Sequence, residues 1–270
     1  MRIGPNDMNR RVLVASILLL SVALVRPEAA PPADAPRGAT PAPVTSAAPA
    51  GIAAALARVR FEPNRGQFAE PAEYVGRSGS VSLFFGDTDA RIRLRDETVR
   101  LEWARAGRGA DVVAEQQLPG TVSYIRGTDP AAWLTQLPTY AQLRQRNVYA
   151  GIDIVYYSHA EGLEFDLVVA PNADLSKAEL AIAGAKAVRI TAAGDLALTL
   201  ADGALTIRQP IAYQQGARGQ VPVPVRYVQR GATSVGFEAD AYDAAKPLVV
   251  DPVITYSTLK GTASTCTLPI

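Results

Sequence analysis

The chain has 270 residues, 27 basic and 26 acidic side chains, one histidine, one cysteine and 20 prolines. With 48% hydrophobic residues it can bury a core, and a formal charge of +1 leaves no electrostatic footprint for nucleic acid. A lone Cys266 forms no internal disulfide, no Cys/His cluster exists to hold zinc, and one histidine leaves little room for histidine-based catalysis.

The first element is an export signal. Asn9-Arg10-Arg11 is followed by Val12 to Val25, an uncharged apolar run. As a helix the run spans about 21 Å, short of a bilayer core of about 30 Å. That length fits the apolar region of a secretory signal, so residues 1–30 are expected to be a signal peptide, with an uncleaved anchor as the competing reading. Removing them takes away four arginines and two acids and leaves a nearly neutral remainder.

Residues 31–58 read as a Pro/Ala-rich linker, extended rather than packed, with one short helical turn possible over Ile52 to Arg58. The folded part then opens near Phe61, and a β-rich domain is expected over residues 59–258. Period-two alternation dominates it. Ile92 and Leu94 alternate with Arg91, Arg93 and Arg95; Leu101 and Trp103 alternate with Arg100 and Glu102. Leu196, Leu198 and Leu200 share one face, bracketed by the turns Ala193-Gly194-Asp195 and Ala201-Asp202-Gly203. Val221, Val223, Val225 and Tyr227 share a face while Pro222 and Pro224 interrupt the other, which places that strand at an edge. Asp174 to Leu180 is the best helical candidate. The expected class is all-β: an antiparallel β-sandwich-like module of many short strands. Residues 259–270 read as an irregular tail.

Candidate chemistry is sparse. His159 falls in an expected hairpin turn, with nothing resembling a nucleophile elbow nearby. Glu164 and Asp166 project from one face of a strand; alternation makes Leu163, Phe165 and Leu167 the inward set and leaves the two acids on the solvent side. Asp153 lacks a partner at metal-loop spacing, and Asp87-Thr88-Asp89 reads as a turn. Tyr140, Tyr149, Tyr156 and Tyr157 concentrate in one region and raise the prospect of a sugar-binding platform, although Tyr156 and Tyr157 point to opposite faces. The 23 arginines form no cluster along the sequence. No catalytic, cofactor-binding or metal-ligating residue is assigned.

Several stretches occur in a telling order: Phe61-Glu62-Pro63-Asn64-Arg65-Gly66-Gln67, Gly127-Thr128-Asp129-Pro130 with Trp133, Leu137-Pro138-Thr139-Tyr140, Asn147 to Tyr157, Leu163 to Pro171, Pro210-Ile211-Ala212-Tyr213-Gln214 and Pro247 to Pro252, leading into Tyr256-Ser257-Thr258. Together they resemble the uncharacterised N-terminal domain of bacterial SBBP-repeat proteins, large exported proteins whose later region carries β-propeller repeats. The resemblance implies an extracytoplasmic, β-rich, non-enzymatic module ahead of a repeat array, secreted or at the cell surface, with a downstream propeller or a cell-surface polymer as partner. It offers no activity or catalytic residue to carry over; no cofactor, no nucleic acid and no membrane contact beyond the signal segment are expected. After Thr258 the chain departs from that pattern, which suits a truncated product or a module standing alone. The competing functional reading is a carbohydrate-binding or carbohydrate-processing β-sandwich. Each motif also has a plain structural account: a core anchor at Phe61, a turn at Asp129-Pro130 that lets Trp133 fold back onto the sheet as a candidate core ring, and a strand terminated at Asp251-Pro252.

Overall fold

The computed structural model describes residues 52, 55–159 and 162–257. The signal segment, nearly all of the linker, the turn residues 160 and 161, and the tail with Cys266 lie outside them.

Short alternating runs separated by Gly, Asp and Pro turns produce nineteen strands among the described residues. The first seven are β1 (Arg60–Pro63), β2 (Tyr74–Ser78), β3 (Val81–Phe85), β4 (Asp89–Leu94), β5 (Glu97–Trp103), β6 (Asp111–Tyr124) and β7 (Leu134–Tyr149). The next six are β8 (Ile152–His159), β9 (Gly162–Val169), β10 (Glu179–Ala183), β11 (Ala187–Ile190), β12 (Leu196–Thr199) and β13 (Ala204–Ile207). The last six are β14 (Ile211–Gly216), β15 (Gly219–Val223), β16 (Val225–Gly231), β17 (Ser234–Ala239), β18 (Leu248–Asp251) and β19 (Val253–Ser257). No helix among the described residues is long and apolar enough to cross a membrane.

Every described pairing is antiparallel. From the β16 edge the ladder runs through β17, β10, β5, β4, β3 and β2 to β1. It reaches β7 through Phe61 opposite Tyr140. One edge of β7 carries β6; the other continues through β8 to β9. Beyond β9 lies a strand interrupted at Pro252, β18 with β19, and then another interrupted around Pro210, β13 with β14. Proline cannot donate to a ladder, which explains both breaks. β15 flanks β14, and β12 with β11 flanks β13, bringing β11 back beside β16. The all-β, antiparallel class is therefore as the alternation predicts. The two facing layers are opposite walls of one nearly closed sheet.

A chain of ring contacts crosses the interior. Phe61 meets Phe85 at 5.4 Å between centroids, Phe85 meets Tyr156 at 5.0 Å, and Tyr156 meets Phe165 at 6.0 Å. Phe165 meets Trp103 at 5.9 Å, which continues through Phe237 to Tyr227. Aromatic pairs bury large area and prefer these edge-on and tilted geometries, so the spine ties the walls together. Buried Gln145 lies beside it, fully satisfied: its amide donates to the carbonyls of Gly86 (2.6 Å) and Asp89 (3.0 Å) and its oxygen accepts from Tyr156 (3.1 Å), whose hydroxyl in turn accepts from Trp103 (3.1 Å).

Several expectations need correction. Trp133 is not a core ring; it is partly exposed and donates to the carbonyl of Gly127 at 3.3 Å, while Trp103 is the buried tryptophan. Residues 221–227 are two strands broken at Pro224, both at edges as expected, and Val221 is exposed rather than inward with Val223. Asp174 caps only a single 3-10 turn, Leu175–Lys177, before β10 begins. Asp89 does not sit in a turn: it starts β4, is buried, and accepts from Arg91 and Arg100 at 2.8 Å each. The helical turn expected over Ile52 to Arg58 is present at Ile52, Ala55 and Leu56, but these residues are buried in the core rather than extended linker.

Candidate functional site

On β9, Leu163, Phe165 and Leu167 point into the core as alternation requires. Glu164 and Asp166 take the opposite face, yet that face is not open solvent. Glu164 is only 7% exposed and Asp166 is partly buried. The reason is position: β9 is a central strand, so side chains from both neighbours crowd its outer face. Tyr157 of β8 and Val253 of β19 stand directly opposite Glu164. A strand read in isolation conceals such neighbours.

The register makes a second acid part of the same face. Val250 pairs with Leu167 and Val253 with Glu164, which leaves Asp251 opposite Asp166 across the gap that Pro252 opens in the ladder. Side chains in such positions start about 5 Å apart. Asp166 accepts from the Tyr157 hydroxyl at 3.1 Å, and Asp251 Oδ1 is buried without a hydrogen-bond partner among the described residues. Burial, and then the charge of Asp251, push the Asp166 carboxyl up to about 7. Burial, and then Glu164, push Asp251 up to about 6. Tyr157 and Tyr213 rise above the ordinary phenol value, first through burial and then through these carboxylates. Both carboxyls are therefore shifted toward neutral pH by their burial and by neighbouring acids.

His159 is exposed at the end of β8, with Nδ1 3.2 Å from Glu164. Asp153 is engaged by Arg144 at 3.4 Å, and Arg144 also holds Glu115 at 2.9 Å. No group of three or more His, Cys, Asp or Glu among the described residues is arranged to hold a metal. The tyrosine platform is largely dismantled: Tyr149 and Tyr156 are buried, and Tyr149 donates to the carbonyl of Ala104 at 2.7 Å. Tyr157, with Tyr213 from a distant segment, flanks the carboxyls instead. The grooves of about 590 Å³ and about 370 Å³ lie elsewhere on the surface.

The motif residues mostly hold backbone. Asn64 donates to the carbonyls of Phe68, Glu70 and Ala72 at 3.0–3.2 Å, and Gln67 donates to that of Pro63 at 2.7 Å. Gln214 fastens the 243–247 loop through Asp243, Lys246 and Pro247. Residues 61–253 match the domain of unknown function DUF7948. The chain belongs to the DUF7948 family. No curated protein and no solved structure matches it.

Tyr213 and Asp251 went unnoticed as partners of Asp166. A signal did exist: residues 162–169 and 248–257 contain three acids and no base.

Proposed function

We propose that this DUF7948 domain is a non-enzymatic exported β module, the N-terminal part of a cell-surface or secreted binding or scaffolding protein of the SBBP-repeat type. The observation that carries the reading is how the motif side chains are spent. Asn64, Gln67 and Gln214 hold loop carbonyls rather than converge on a cavity, which is what a supporting module needs. The basic-then-apolar start of the sequence supports export. Cell fractionation of the full chain in a bacterial host tests it: the protein is expected outside the cytoplasm, and retention in the cytoplasm overturns the reading.

A second reading is favoured by one specific observation. Tyr157 and Tyr213 flank three acids on one face, a combination that suits carbohydrate binding or processing. Hydrolysis of a polysaccharide panel that disappears in Glu164→Gln or Asp166→Asn would install this reading in place of the first.

A further inference from the structure

Along one edge of β7, β1 makes its contact at Tyr140 and β8 begins its own at Gln142. At the notch between them lies a cavity of about 370 Å³ lined by Ala57, Arg58, Val59, Arg60, Ala141 and Ser158. The Ser158 hydroxyl donates to the carbonyls of Leu56 (3.0 Å) and Val59 (3.3 Å), which pins the segment that presents the two arginines. Arg60 stands directly opposite Arg77 across the β1–β2 ladder, and both are exposed. Like charges in facing positions repel.

On the nearby strands β4 and β5 the arginines are neutralised. Arg91 and Arg100 share Asp89, and Arg93 is bonded to Glu70. Arg58, Arg60 and Arg77 make no ion pair among the described residues. The nearest strand acid, Glu62, is taken by the Tyr124 hydroxyl. Arg77 lies over the Phe68 ring with its guanidinium carbon 5.4 Å from the centroid and is also hydrogen-bonded to Tyr124, contacts that orient the fork without an ion pair to a carboxylate.

We propose that Arg58, Arg60 and Arg77 form a binding site for the carboxylate groups of an acidic polysaccharide. Guanidinium forks match planar oxyanions bidentately, and the uncompensated facing pair is relieved when such a group enters. Three cations on a protein of formal charge +1 fall short of the roughly six to ten phosphate contacts on which nucleic-acid binders rely. A polymer of low charge density, touching the notch a few groups at a time, fits the patch. The proposal deepens the exported-module reading and rests on it for access to such a polymer.

The test is equilibrium binding of the full chain to polygalacturonate at low ionic strength, with dextran and a DNA duplex as comparison probes. Polygalacturonate is expected to bind and to weaken with salt, while dextran does not bind. The Arg60→Ala/Arg77→Ala double variant is expected to lose at least about ten-fold in affinity while melting normally, because both side chains are exposed. Arg218→Ala, an exposed turn arginine, is expected to bind as the parent does. Polygalacturonate binding that is absent, unchanged in the double variant, or matched by the DNA duplex overturns the site. None of these results depends on where the protein resides, so the fractionation experiment fails or succeeds separately.

Discussion

Asp166 of β9 and Asp251 of β18 face each other on neighbouring antiparallel strands, and neither strand carries a base. Burial raises both carboxyls above the ordinary aspartate value, and the charge of Asp251 adds to the rise at Asp166 as that of Glu164 does at Asp251. The folded protein thus holds protons that the unfolded chain releases. The stabilisation is complete below about pH 4 and is lost as pH rises through about 6 and about 7. Asp166→Asn removes one charge of the pair. It is expected to stabilise the fold by about 1–2 kcal/mol at pH 8 and to change little at pH 4, the figure being reduced for partial exposure. Urea unfolding at the two pH values measures this. Equal effects at both would mean that the carboxyls are independent.

The two tryptophans should separate sharply. Trp103 packs between Phe165 and Phe237 and donates to Tyr156, so Trp103→Ala is expected to cost about 3–5 kcal/mol. Trp133 sits at the end of the long β6–β7 hairpin with one bond to a carbonyl, and its alanine variant is expected to cost under about 1 kcal/mol. Chemical denaturation of both, with tryptophan fluorescence read from the remaining ring, decides it.

Gln145 offers a test of the buried polar network. Gln145→Leu keeps most of the volume but leaves the Tyr156 hydroxyl without its acceptor and the carbonyls of Gly86 and Asp89 without their shared donor. An unsatisfied buried group costs about 1–3 kcal/mol, so a loss of at least that order is expected in thermal or urea unfolding. A neutral outcome would show that the network is dispensable to stability.

Gly184 connects β10 to β11 with φ +84°, and a Cβ there would meet the carbonyl oxygen of Thr98 at 2.0 Å. Backbone cannot step aside as a flexible side chain can. Gly184→Ala is expected to destabilise by well over about 1 kcal/mol, from strain and collision together. By contrast Gly66→Ala, at φ +96° with nothing within 4 Å, carries the conformational penalty alone and should cost less. Comparing their melting temperatures separates the two terms.

Much of the architecture was legible because alternation is a local property. Leu163, Phe165 and Leu167 identified the inward face of β9 correctly, and Pro222 with Pro224 marked edge strands correctly. The errors all came from neighbours. Trp133 looked like a core ring because large aromatics usually are; its place at a hairpin end follows from the length of β6 and β7, which no local pattern encodes. Asp89 looked like a turn residue until Arg91 and Arg100, on two strands, closed on it.

The amino-acid order alone established an all-β chain, its turns and its edge prolines, since each depends on the intrinsic geometry of a few consecutive residues. Only the folded arrangement decided that Asp166 meets Asp251 and that Arg60 meets Arg77. Those encounters join residues 85 and 17 positions apart, and they are set by strand register, a collective outcome of core packing that no single segment contains.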